Sequence, residues 1–132
     1  MAMTHQPVLF QTPKHPMVRI SSANTSRDGS GTNGTLYTAG ANGAIFAGFR
    51  WQAEGTTTAG VIRVHIQKAG SGNIELIREM LVAAITPSAT VEAASGEWFP
   101  PAGIMLGAGD IVFVSTHNAE TFSCWLEGGG DY

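Results

Sequence analysis

The chain has 132 residues and a mass of 13.8 kDa, 43% hydrophobic, only 13% charged, with 17 glycines. Surface scaling buries about two-thirds of such a chain on folding, enough for one core, and the balance suits a turn-rich β protein better than a helical bundle. A net charge of −3 and a pI near 5.7 supply no basic field for phosphates and argue against a nucleic-acid partner.

Residues 1–16 contain Pro7, Pro13 and Pro16, which forbid a helix and predict an extended N-terminal arm with a small apolar patch at Val8, Leu9 and Phe10. An arm cannot bury Leu9 and Phe10 on its own, so both are candidate partner-binding residues. The domain proper is expected over 17–132. It opens with an alternating strand at Met17 to Ser21, followed by a small-residue loop from Ser22 to Gly34 that is expected to be mobile. Asn24-Thr25-Ser26 and Asn33-Gly34-Thr35 match the glycosylation pattern but are read only as marks of a polar loop.

A short strand at Thr35 to Thr38 precedes the Asn-Gly turn signal in residues 39–43. Ala44 to Ala53 then reads as one long strand, with Ile45, Ala47, Phe49 and Trp51 on one face and Arg50 and Gln52 on the other. Val61 to Gln67 alternates most cleanly, Ile62, Val64 and Ile66 against Arg63, His65 and Gln67. A glycine turn at 69–73 predicts a hairpin with the next segment.

Residues 74–85 fit two periods. Ile74, Ile77, Leu81 and Ile85 have helical spacing with Asn73 as a cap, whereas Ile74, Leu76, Met80 and Val82 fit a strand interrupted by Arg78. The neighbouring strands and the preceding turn favour strand. Beyond Pro87 come Glu97 to Phe99, stopped by two prolines, then Ile104 to Leu106, the turn Gly107 to Asp110, and Ile111 to Thr116. A hairpin closed at His117 to Glu120 is expected to lead into Thr121 to Glu127, where Phe122, Cys124 and Leu126 share a face. The sum is an all-β, single-domain antiparallel β-sandwich of jelly-roll type with about eight strands.

No catalytic constellation converges in the sequence. Cys124 sits on an apolar strand face, which suppresses its thiolate, and as the sole cysteine it excludes an internal disulfide. His5, His15, His65 and His117 lack metal-ligand spacing, so neither a metal nor a cofactor is expected. Glu75, Glu79, Glu97 and Asp110 would pair as glycosidase carboxylates only by accident of folding. No apolar run reaches the ~18 residues of a membrane helix, and residues 1–7 lack the pattern of a secretory signal. The protein is expected to be a soluble non-enzyme that stays where it is made. Trp51 reads as core. Trp125 points away from Phe122 and Cys124, and Trp98 adjoins two prolines, so both are candidate partner-binding residues, for a protein or, as the competing reading, a glycan.

Three motifs carry a resemblance: Leu36-Tyr37-Thr38-Ala39-Gly40-Ala41-Asn42-Gly43, Leu106-Gly107-Ala108-Gly109-Asp110, and the terminal Gly129-Gly130-Asp131-Tyr132. In their order along residues 35–132 the chain resembles a group of small structural proteins of tailed bacteriophages. The resemblance implies a non-enzymatic virion component with a jelly-roll or related sandwich, made in the host cytoplasm and placed on the capsid surface. There it would act as a decoration or cement protein in contact with the major capsid protein, as a homo-oligomer or symmetric array. A tail, baseplate or head-fibre component that binds a host glycan is the alternative.

Overall fold

The computed structural model describes residues 10–132, and Leu9 therefore lies outside the described residues. The described chain is all-β, with no helix. Its twelve strands are β1 (Thr12–Lys14), β2 (Met17–Ile20), β3 (Gly34–Thr38), β4 (Ala44–Phe46), β5 (Gly48–Ala53), β6 (Gly60–Gln67), β7 (Ile74–Val82), β8 (Ser95–Trp98), β9 (Ile104–Leu106), β10 (Ile111–Thr116), β11 (Phe122–Glu127) and β12 (Gly129–Asp131). They form three antiparallel four-stranded sheets, ordered β3-β10-β6-β7, β2-β11-β5-β8 and β1-β12-β4-β9.

The last two sheets are consecutive lengths of one bent layer. β1 runs on into β2, β4 into β5, β8 into β9 and β11 into β12, and the four breaks fall in register across the layer. Counted this way there are eight composite strands in two layers. The first pairs with the eighth, the second with the seventh, the third with the sixth and the fourth with the fifth. That is one long antiparallel ribbon folded over on itself, which is the jelly-roll topology. The sequence reading expects about eight strands, whereas the described chain has twelve, because four of the long strands are broken at the bend.

Ala47 and Gly128 mark the bend. The Ala47 amide donates to both Glu127 O (3.0 Å) and Gly128 O (3.2 Å). Gly128 has φ +74°, and a side chain there would meet the Ala47 methyl at 2.6 Å. The bend corrects the reading of Ala44 to Ala53 as one uninterrupted face. Phe46 joins Phe49 and Trp51 in the core, while Ile45 is only half-buried and Ala47 is exposed.

Between the layers lies one apolar core. Phe46, Phe49, Ile62, Val112, Phe122 and Leu126 are fully buried, and Trp51 packs edge-on against Phe122 at 5.6 Å between ring centroids. Residues 74–82 are a strand, so the two-period ambiguity resolves as the preceding turn suggested: β6 and β7 form a hairpin with a bulge between Val64 and His65. The hairpin expected between 111–116 and 121–127 does not form. β10 pairs with β3 and β6 in one layer, β11 with β2 and β5 in the other, and residues 117–120 cross between them. The crossing is held by Glu120, whose carboxylate accepts from the Thr58 amide and hydroxyl.

The extended arm is described from Phe10 onward, and there it is attached. Gln11 N donates to Asp131 O, and Thr12–Lys14 pairs with Asp131–Gly129. Pro13 is accommodated because β1 is an edge strand.

Candidate functional site

The three turn motifs meet at one corner of the sandwich. Ala39 N donates to Asp110 O (2.8 Å) and Gly109 N to Ala39 O (3.2 Å), which joins the first motif to the second. Gly40 N donates to Asp131 Oδ1 (3.2 Å) and Tyr132 N to Gly43 O (3.1 Å), which joins the first to the terminal one. Glycine is required here by φ at Gly43 (+81°) and Gly109 (+78°), and by contact in β12. A Cβ on Gly129 would collide with Ile45 O of β4, and one on Gly130 with Thr12 O of β1.

Asp110 anchors the same corner. Its buried carboxylate accepts from Lys68 Nζ (2.5 Å), Ala69 N (3.0 Å) and Gly107 N (2.8 Å). Burial alone would raise its pKa, but these donors outweigh it and hold the carboxyl below its usual range. Tyr37 faces Asp131, and burial first, then that carboxylate, push its hydroxyl up to about 12.

On the outer face of the β3-β10-β6-β7 sheet, the loop expected to be mobile is latched down. Asn24 donates its side-chain amide to Ser30 O, Thr32 O and Asn33 Oδ1, while Asn24 N donates to Thr116 O. Arg63, though fully buried, uses all three guanidinium nitrogens: Nε on Glu79 (3.0 Å), Nη1 on Asn24 O (2.9 Å) and Nη2 on His117 Nδ1 (3.1 Å). His65 donates from Nε2 to Arg27 O (3.2 Å). Arg63 and His65 do alternate away from the core as the sequence indicates, but the loop covers them. Beside this latch, Val61, Leu81, Ala83, Arg27 and His117 line an open groove of about 530 Å³.

The outer face of the β2-β11-β5-β8 sheet carries Trp125. Strand register places Met17, Trp125, Arg50 and Glu97 side by side across four strands, with Ser123, Gln52 and Ser95 in the adjoining row. Arg50 is held by Glu127 through Nε (2.7 Å) and by Glu97 through Nη1 (2.8 Å), and its guanidinium lies 5.1 Å from the Phe99 ring centroid. Trp125 Nε1 donates to Glu127 Oε2 (3.0 Å), so one carboxylate orients both side chains. Donation from Arg50, and then from Trp125, holds Glu127 below its usual range.

The sequence-derived partner residues therefore lie apart. Phe10 is half-buried beside Pro13, His15 and Gly129 in a shallow hollow near the motif corner. Trp98 pairs with the buried Phe49, so it faces inward and packs against the core, on the opposite side of the sheet from Trp125. The register that gathers Arg50, Gln52, Ser95 and Glu97 around Trp125 was beyond sequence reading; only the outward alternation of Arg50 and Gln52 hinted at it.

Among the carboxylates weighed as a hydrolytic pair, Glu79 lies with Arg27 and Arg63, Glu97 with Arg50 and Asp110 with Lys68. Cys124 is fully buried, and desolvation pushes its thiol up to about 12.

No family model matches the chain, and no curated protein does. One solved structure that is similar is described as "Structure of Eiger TNF from S. frugiperda". It is 13% identical over 89% of this chain and 87% of that one, with a TM-score of 0.41. That similarity is too loose to assign a function, and the jelly-roll architecture follows from the strand pairing alone.

Proposed function

We propose that this chain is a non-enzymatic structural protein of a tailed-bacteriophage virion, a decoration or cement protein that stabilises the head by bridging major capsid protein subunits. One observation carries the reading: the three motifs that resemble phage structural proteins are joined to one another by hydrogen bonds at a single corner. Three separate turns of Gly, Ala, Asn and Asp would each carry little weight. Three that close one corner form a structural unit, so the resemblance concerns how the fold is completed.

A cement protein acts by burying surface on a rigid body. The closed sandwich supplies the body, and Phe10 beside the corner supplies apolar surface, with Leu9 next to it in sequence. Covering one such side chain contributes about 1.5–3 kcal/mol before ordering costs are subtracted. Contact at several neighbouring copies in a symmetric array would add to this.

The test is co-sedimentation of the purified chain with head shells of its phage that lack it. The chain is expected to saturate the shells and raise their disruption temperature. Phe10→Ser should lower retention about tenfold, as loss of one such contact implies, with the fold intact. Shells that bind no chain would rule the proposal out.

A further inference from the structure

We infer that the groove beside Trp125 is a sugar-binding subsite that takes one ring of an uncharged glycan. It does not depend on the capsid proposal, since it concerns the other end of the layer and a different ligand. Trp125, Arg50, Gln52, Ser95 and Glu97 line an open groove of about 400 Å³, within the range of small-ligand sites. They project from three adjacent strands, which fixes their spacing better than a loop would.

The chemistry is that of a pyranose. One face of such a ring is C–H surface that stacks on an indole, and Trp125 offers a half-exposed ring already held by Glu127. The ring's edge carries hydroxyls, each both donor and acceptor. Arg50 spends Nε and Nη1 on carboxylates, leaving Nη2 as a donor without a partner among the described residues. Gln52 spends its amide nitrogen on Ala53 O and Ala94 O, which leaves its Oε1 to accept. The second oxygen of Glu97 and the Ser95 hydroxyl complete a mixed donor and acceptor set. One guanidinium against Glu97 and Glu127 makes the surroundings net negative, which disfavours phosphorylated, sulfated or acidic sugars.

The experiment is an NMR titration of the full chain, following its three indole N–H signals, with methyl glycosides of glucose, galactose, mannose and N-acetylglucosamine and with their trisaccharides. The Trp125 signal is expected to shift saturably with at least one of them while those of Trp51 and Trp98 stay still. Gln52→Ala should weaken that binding about fivefold, the effect of one lost hydrogen bond to the sugar, with the β fold intact by circular dichroism. Trp125→Phe should retain weakened binding and Trp125→Ala none. Absence of any saturable Trp125 shift, or equal affinity in Gln52→Ala, overturns the inference. So does finding that Trp125→Ala abolishes shell binding while no sugar binds, which would assign the face to a protein.

Discussion

Gly40 and Asp131 stand 91 positions apart in the chain and are joined by a hydrogen bond from the Gly40 amide to the Asp131 carboxylate. Through it the penultimate residue of the chain holds the second crossing between the two layers, from β3 to β4. Asp131 also faces the Tyr37 hydroxyl, so one side chain serves two groups of the same motif. Asp131→Ala is expected to destabilise the domain by about 1–3 kcal/mol, the cost of stranding polar groups of this kind, in urea unfolding.

The raised pKa of Tyr37 has a pH consequence. Below pH 10 native and unfolded chains both hold the phenolic proton and the contribution is fully present. Between 10 and about 12 the unfolded chain releases it while the native chain retains it, so stability falls across that window. Urea unfolding from pH 9 to 12 should show this decline, and Tyr37→Phe should reduce it.

Glycine in β12 is a packing requirement. Gly129→Ala places a methyl against Ile45 O and Phe46 Cα and is expected to cost about 3 kcal/mol, since the β4 backbone must move. Gly72→Ala, where nothing lies within 4 Å, should stay within about 0.5 kcal/mol of the parent. Equal melting temperatures for the two variants would contradict the placement of β12 between β1 and β4.

At acid pH the corner should weaken through Asp110. Its folded pKa is depressed, so its contribution is present above the unfolded value of 3.8 and is lost as pH falls through the folded one. Asp110→Ala removes the acceptor of the Lys68, Ala69 and Gly107 donors. It is expected to cost about 2–3 kcal/mol at neutral pH and to flatten the acid limb of the stability curve.

Cys124 should be inert in the folded chain. With its thiol raised to about 12 and fully buried, labelling by a thiol reagent at pH 8 should proceed only as fast as the protein opens, and quickly once denaturant is added.

What the sequence disclosed follows from where side chains decide the structure. Period-two alternation is strong in Val61 to Gln67 and in Phe122 to Glu127, and those strands and their buried faces were legible, Cys124 included. β1 and β12 were not, because three-residue strands built from Thr-Pro-Lys and Gly-Gly-Asp carry no alternating pattern and exist only through their pairing with each other and with β4. Residues 117–120 look like a hairpin turn locally, and only the partners of β10 and β11 reveal a crossing between layers. The loop at 22–34 looked free because its anchors, Arg63, Glu79 and Thr116, lie far along the chain. The partner surface was half legible: alternation turned Trp125 outward, but Trp98 was placed by its neighbouring prolines when its register with Phe49 turns it to the core.

The central claim is a position on a particle, and cryo-electron microscopy of the intact virion tests it most directly. The account predicts an eight-strand jelly roll on the outer surface of the head, seated across neighbouring capsid subunits with the Phe10 corner at the contact. Its density only at the tail or baseplate, or its absence from purified particles, would contradict that claim.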